Sequence, residues 1–408
     1  MAARISSPLR TRRALRINTG LVLCVLCVLR GERFTAAQEP PAPQPVPAAQ
    51  LQASIDRLGD LDYATRTTAA QTVRRTPSAQ AVSALLQAVA EHVDGYVRYR
   101  ALVLLTGFND PRTKDAMRES LSSPNDRLRA VAYSFFERNP DRAMVPAFLS
   151  ALDKELAEFV RPSLVRALAA QGDDPRIGPV LVGEVGRGED FFRSAVVEAL
   201  GDYKARYAID AIGATAKLDG PLQDDAVLAL GKIGDKRALE TLAGLQDTAP
   251  RTSQPSVATA ICLLDINCSA NESYLIETLK FADTNTGFQE LLRAAAFGLG
   301  ALGVAGHGEA VESLFEIGIP ARDEASRAPV ALALGTVALR NTPLMTSMLE
   351  KHADRDKALA LLAEGFDMLE EDLDKERFFA LVRRTYWDAP ENSPTRGLMQ
   401  TLIGKLEF

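Results

Sequence analysis

Apolar residues recur at three- and four-residue steps through short blocks of the chain, and polar or glycine-bearing stretches interrupt them at regular intervals. The stretch from Phe191 to Leu245 shows this most clearly. Val196 with Leu200, and Leu239 with Leu242, each mark one face of a helix and are read as core. Shifted by thirty residues, Ala199-Leu200-Gly201 falls on Ala229-Leu230-Gly231, and Ala208-Ile209-Asp210 falls on Ala238-Leu239-Glu240. Each unit predicts a short amphipathic helix, a glycine turn, a second short helix and a polar loop. Such a unit cannot bury its apolar face alone, so it needs its neighbours.

The register extends in both directions. Arg66, Arg98, Arg129, Arg161 and Arg193 recur near the start of the first helix, with spacings of 32, 31, 32 and 32 residues. The Gly231 position continues at Cys262, Gly300 and Gly335, where longer spacings imply loop insertions. An acid precedes each arginine by three or four residues: Asp62, Asp94, Asp126, Glu158 and Asp190, then Glu290 before Arg293 and Asp323 before Arg327. An acid in the first turn favours the positive end of the helix dipole. It can also pair with an arginine one turn on, for a few tenths of a kcal/mol. The ladder is therefore expected to serve stacking.

Helix pairs of about thirty residues, the acid and arginine near the first helix and the Ala-Leu-Gly step resemble the HEAT repeats of the phycobilisome-lyase-like type, over roughly Asp62 to Leu369. The resemblance implies an all-α fold, a right-handed α-solenoid of about ten HEAT-like helix pairs. It also implies a scaffold that grips a protein or peptide on its concave face, lined by the second helix of each unit. It carries over no reaction, because such repeats serve many functions.

Two enzymatic branches of that fold set the alternative reading, an accessory or cofactor-binding enzyme of the lyase-like or di-iron class. The deoxyhypusine hydroxylases hold iron through repeated His-Glu pairs. Here the histidines are His92, His307 and His352, Glu91-His92 is reversed, and His307-Gly308-Glu309 is interrupted. No metal, cofactor-binding or catalytic residue is assigned, and the chain is expected not to be an enzyme. Bilin lyases act on a cytoplasmic chromophore protein, a setting at odds with an export signal.

That signal is read in residues 1–37. Met1 to Arg16 carries five arginines and no acid, and Leu21 to Leu29 is a nine-residue apolar run. The run is too short to cross a bilayer about 30 Å thick, so it predicts export to the periplasm or beyond, with Thr35-Ala36-Ala37 as a cleavage region. Anchoring by an uncleaved leader, as in a membrane-held sensor, is the alternative. Residues 38–50 carry five prolines and nothing to bury, which predicts an extended linker.

Composition agrees with close helix stacking: 47% of residues are hydrophobic and only 6% aromatic, with no long β-branched alternation. The chain carries −6, and without residues 1–37, which hold seven arginines and one glutamate, 40 basic residues face 52 acidic ones, or −12. Phosphate-rich partners would be repelled, so no nucleic acid is expected, and a basic or neutral protein fits better.

Three further motifs are read structurally. Gly298-Leu299-Gly300-Ala301-Leu302-Gly303 matches G-x-G-x-x-G, but the preceding LLRAAAF is helical, whereas a dinucleotide site needs a strand. Cys262 and Cys268 are too far apart along a continuous helix, yet a reversal at Asp265-Ile266-Asn267 could close a disulfide; the alternative is a buried Cys262 and a free Cys268. The last stretch, 374–408, gathers Phe378, Phe379, Tyr386 and Trp387, and is expected to cap the solenoid rather than anchor a partner.

Overall fold

A computed structural model describes residues 43–408, apart from 286, 322, 370, 371 and 407. The export signal expected in residues 1–37, and residues 38–42 of the expected linker, lie outside the described residues. The described residues fall in one unit and are helical, with no strand among them.

The helices follow in order: α1 (Ala48–Asp56), α2 (Tyr63–Arg74), α3 (Ser78–Glu91), α4 (Gly95–Leu105), α5 (Arg112–Ser120), α6 (Asp126–Arg138), α7 (Val145–Leu152) and α8 (Arg161–Ala169). Next come α9 (Ile177–Glu184), α10 (Asp190–Asp202), α11 (Ile209–Ala216), α12 (Gln223–Ile233), α13 (Leu239–Thr248), α14 (Gln254–Leu263) and α15 (Cys268–Thr284). The chain ends with α16 (Gln289–Ala305), α17 (Gly308–Gly318), α18 (Glu324–Arg340), α19 (Thr342–Lys351), α20 (Arg355–Met368), α21 (Asp372–Asp388) and α22 (Pro394–Lys405). From α2 to α19 these are helix pairs, the even-numbered helix first. The fold is an all-α solenoid of HEAT-like pairs.

Local chemistry sets the helix starts. Asp62 accepts a hydrogen bond from the Thr65 amide (2.8 Å), Asp94 from Tyr96 (2.7 Å) and Asp323 from Ala325 (3.1 Å), each satisfying a free amide of the first turn. Gly234 and Gly306 end α12 and α16 in the left-handed region, at φ 72° and 113°. At the other end α1 begins at Ala48, inside the expected linker, and the Gln44 amide donates to the Arg75 carbonyl (3.0 Å).

First helices stack on first helices through small residues. A Cβ on Gly201 would lie 2.8 Å from the Ala229 Cα, and one on Gly231 would lie 2.5 Å from the Ala260 Cα. The G-x-G-x-x-G run is part of this seam inside α16, with Gly300 against Ala333 and Gly303 against Val337 and Val311. Among glycines of the second helices, Gly183 in α9 and Gly244 in α13 face open space, while Gly318 in α17 meets Leu361 and Val330. The layer that packs closest forms the shorter, inner arc.

The repeat is interrupted after α20. The place of a tenth second helix, against α19 and α20, is taken by α22. The intervening helix α21 instead lies against α4, α6 and the turn at 106–108 near the start, and against α18 near the end. Its Leu373 joins the apolar core that begins at Leu51, while its Phe378, Val382 and Tyr386 join the core that ends at Phe408. One helix thus links both ends of the solenoid. The helices that receive it are first helices, so the inner face is lined by these and not by the second helices expected from sequence; the glycine seam that shortens the arc lies on them.

Candidate functional site

The inner face is built around α21. Three acids in its first turns meet three arginines of the early first helices. Arg74 at the end of α2 donates to both carboxylate oxygens of Glu376, with Nε at 3.0 and 2.9 Å and Nη2 at 2.7 Å, and both side chains are buried. Arg100 of α4 binds Asp372 at 2.7 Å, and the Tyr99 hydroxyl donates to the same carboxylate. Arg138 of α6 binds Asp374 at 2.6 Å, and Arg340 of α18 approaches it from the opposite end at 3.6 Å. Acids near a helix N-terminus also suit its dipole.

Burial alone would push the Asp372 carboxyl up, but Arg100 and the Tyr99 hydroxyl outweigh it and hold it below the usual carboxylate range. Burial, then the Asp372 charge, raises the Tyr99 phenol. Beside Glu376 the balance differs. Arg74 and Arg383 face that carboxylate, and burial followed by the Arg74 charge lowers Arg383 to about 10. Arg75 is lowered for the same two reasons. More guanidinium than carboxylate is present here.

A cleft of about 610 Å³ opens beside α21, between the turn at 106–114, α6 and α18. Lys114, Arg377 and Arg384 bring positive charge to it, and Asp110 and Asp374 negative charge. Further along the inner face Arg166 of α8 bridges Glu137 (2.9 Å) and Asp202 (2.8 Å). Lys232 also binds Asp202 (2.8 Å), and the Tyr203 hydroxyl donates to Glu137 (2.7 Å). This network ties α6, α8, α10 and α12 together.

The arginine ladder lies between units. Arg98 Nε donates to the Val89 carbonyl at the end of α3 (2.7 Å), and Arg193 Nε to Val185 just after α9 (3.0 Å). Arg327 reaches Gly318 (2.9 Å) at the end of α17. Arg66 reaches the Asp60 and Leu61 carbonyls, and Arg129 the Ser123 carbonyl. Each arginine covers carbonyls that the preceding segment leaves unsatisfied, at the negative end of a helix dipole where it is a helix. The expected pairing with an acid one turn earlier forms at Arg193–Asp190 (3.0 Å) and Arg293–Glu290 (2.6 Å). At Arg66 and Arg98 the acid caps its own helix instead. Arg129 pairs with Glu155 (2.8 Å), Arg327 with Glu364 (2.6 Å), and Arg161 lies over the Phe192 ring at 3.8 Å with Glu184 at 3.6 Å.

The structure joins Cys262 and Cys268, with Cα atoms 4.1 Å apart. Asp265 and Asn267 adopt left-handed conformations in the reversal between them, a region that Asp and Asn tolerate. The histidines stand apart: His92 lies by Asp56 (3.3 Å), His352 against Phe315 (5.1 Å between rings), and His307 by Cys268 and Glu272. In the last stretch Phe378 and Tyr386 are buried, Phe379 stacks on Phe408 at 4.1 Å, and Trp387 is 41% exposed beside Arg396.

Sequence reading missed the arginines that receive α21. Their only trace is the alternation of acids at 372, 374 and 376.

The HEAT repeats family matches residues 51–135, and the PBS lyase HEAT-like repeat matches residues 222–248. No curated protein matches the chain. Similar solved structures include the complex of CpcE and CpcF of phycocyanin lyase from a Nostoc species, at 20% identity, covering 64% of this chain and 97% of that one, with a TM-score of 0.39. A Kap121p mutant is similar at 15% identity, over 88% of this chain and 45% of that one, TM-score 0.41. Human deoxyhypusine hydroxylase with glycerol is similar at 17%, over 63% and 96%, TM-score 0.28. These likenesses are of fold.

One expectation is corrected. The assignment as a non-enzyme does not stand, because residues 222–248 match the PBS lyase HEAT-like repeat.

Proposed function

From a solenoid of HEAT repeats, one of them of the PBS lyase HEAT-like type, we propose that the chain binds a protein partner on its inner face, in the cleft beside α21. The observation that carries this is α21 itself, a helix of the chain held on the inner face by Asp372, Asp374 and Glu376 against Arg100, Arg138 and Arg74. It supports an inner face that accepts a helical segment with acids at its start. Arg75, Arg383 and Arg384 add positive charge around it. The partner segment is therefore acidic. The basic or neutral partner suggested by the −12 balance gives way to this reading, because net charge sums the whole surface while recognition is local.

The proposed setting is outside the cytoplasm, on the strength of the leader-like residues 1–37; fractionation with an antibody to the solenoid checks it. The binding proposal is tested by crosslinking pull-down from the envelope fraction, with the chain from Gln38 onward as bait. Capture of a reproducible partner that fails with Lys114→Glu plus Arg384→Glu supports it. Capture unchanged by that reversal overturns it.

The match at 222–248 favours a second reading, an accessory of a lyase-type reaction on a chromophore protein. A coloured adduct on the purified chain after incubation with a bilin supports that reading, and a colourless chain removes it.

A further inference from the structure

Four side chains from two helices and the turn before α17 converge at the α14–α15 turn. Cys262 ends α14 and is 2% exposed, Cys268 opens α15, and Glu272 follows Cys268 by one helical turn on the same face. His307, just before α17, closes the group: its Nδ1 lies 3.9 Å from Cys268 Sγ and 3.3 Å from Glu272 Oε2. The ligand atoms of Cys262, Cys268 and His307 all lie within 4.8 Å of one another. Glu272 is 8% exposed, and its second oxygen, Oε1, is buried without a hydrogen-bond partner. A buried carboxylate oxygen left unpaired is costly, which marks a place where a cation would be stabilised.

We propose that the dithiol form of this chain binds one zinc ion through Cys262, Cys268 and His307, with Glu272 as the fourth ligand. Zinc takes thiolate, imidazole and carboxylate ligands tetrahedrally at about 2.3, 2.0 and 2.1 Å, and a tetrahedron of those radii has edges of about 3.3–3.8 Å. The separation of 3.3 Å between His307 Nδ1 and Glu272 Oε2 already matches such an edge, and that of 3.9 Å between Cys268 Sγ and His307 Nδ1 lies just beyond the longest. The His307 side chain is 31% exposed, which leaves an entry path.

The joined form seen here cannot offer thiolates, so binding follows reduction. A dithiol reductant attacks the Cys262–Cys268 bond, supplies two electrons and becomes a disulfide, and both cysteines are released as thiols. Zinc then displaces the two thiol protons to solvent. Reoxidation by a disulfide of the surroundings reverses both steps and releases the ion. The site thus distinguishes reducing from oxidising conditions.

The test uses the full chain with Cys24 and Cys27 replaced by Ser in every sample, so that only these two thiols report. Chain reduced by a dithiol is given one equivalent of zinc, desalted and assayed for bound metal and thiol alkylation. One zinc per chain in the reduced form and none in the oxidised form is expected, with alkylation slowed at least ten-fold until a chelator is added. Cys268→Ser and His307→Ala, both at partly exposed positions, lose the ion, and Glu272→Gln weakens it about ten-fold. Reduced chain that keeps no zinc, or that keeps as much after Cys268→Ser, overturns the proposal.

Discussion

Arg74 and Glu376, 302 residues apart, form a buried ion pair in which one guanidinium engages both carboxylate oxygens. In a simple repeat array distant units do not touch, and stability is a sum over neighbours. This pair, with Arg100–Asp372 and Arg138–Asp374, makes the last helices depend on the first.

Removing one partner of a buried pair leaves the other charge uncompensated, at about 3–5 kcal/mol. Glu376→Ala is expected to cost that much and to lower the thermal midpoint, since Arg74 and Arg383 then lose their shared carboxylate. The double variant Arg74→Met/Glu376→Leu is expected to recover most of the loss, because apolar replacement of both partners is often neutral. Thermal melts of the two variants check this.

The glycine seam makes the opposite kind of demand. A methyl on Gly231 would meet the backbone of Ala260 at 2.5 Å, so Gly231→Ala is expected to cost about 1–3 kcal/mol or more through overpacking. Gly244, inside α13 with nothing within 4 Å, is expected to gain up to about 1 kcal/mol as Ala, from helix propensity alone. Denaturant midpoints of the two variants should move in opposite directions.

Members of the arginine ladder should differ in weight. Arg129 neutralises Glu155, whose side chain is 7% exposed, so Arg129→Ala is expected to cost about 3 kcal/mol. Arg66 is half-buried, donates to the carbonyls of Asp60 and Leu61 and lies over the Tyr63 ring, so Arg66→Ala should cost about 1 kcal/mol. Equal losses would contradict these roles.

Acid sensitivity follows from Asp141. Hydrogen bonds from Lys114 and then Arg118 hold its carboxyl down to about 2, against an ordinary 3.8. A depressed carboxyl contributes stability above the unfolded value and loses it as pH falls through the folded one. That contribution should therefore vanish between about pH 4 and pH 2. Asp141→Asn is expected to flatten the stability profile in this window, measured by denaturant midpoints at stepped pH.

What was legible in the sequence was local. The thirty-residue period shows because Gly201, Gly231, Gly300 and Gly335 do one packing job at one register, and the ladder shows because each unit has carbonyls to cover. Which carbonyls or carboxylates the arginines reach was not legible, since Asp62 and Asp94 are spaced for pairing yet act as caps. The path of α21 was also hidden. Asp372, Asp374 and Glu376 look like ordinary acids of a first helical turn, and nothing in a sequence reports a partner 302 residues away. His307 and Cys268, 39 residues apart, meet only because consecutive units stack.

The docking of α21 on the inner face is tested most directly by hydrogen exchange read by mass spectrometry on the intact chain and on Arg74→Ala. Amides of 372–388 should be protected in the intact chain. In the variant they should exchange faster, while those of α10 to α14 stay unchanged. If exchange in 372–388 is the same in both proteins, α21 is not held by the first unit, and the linkage between the two ends is contradicted.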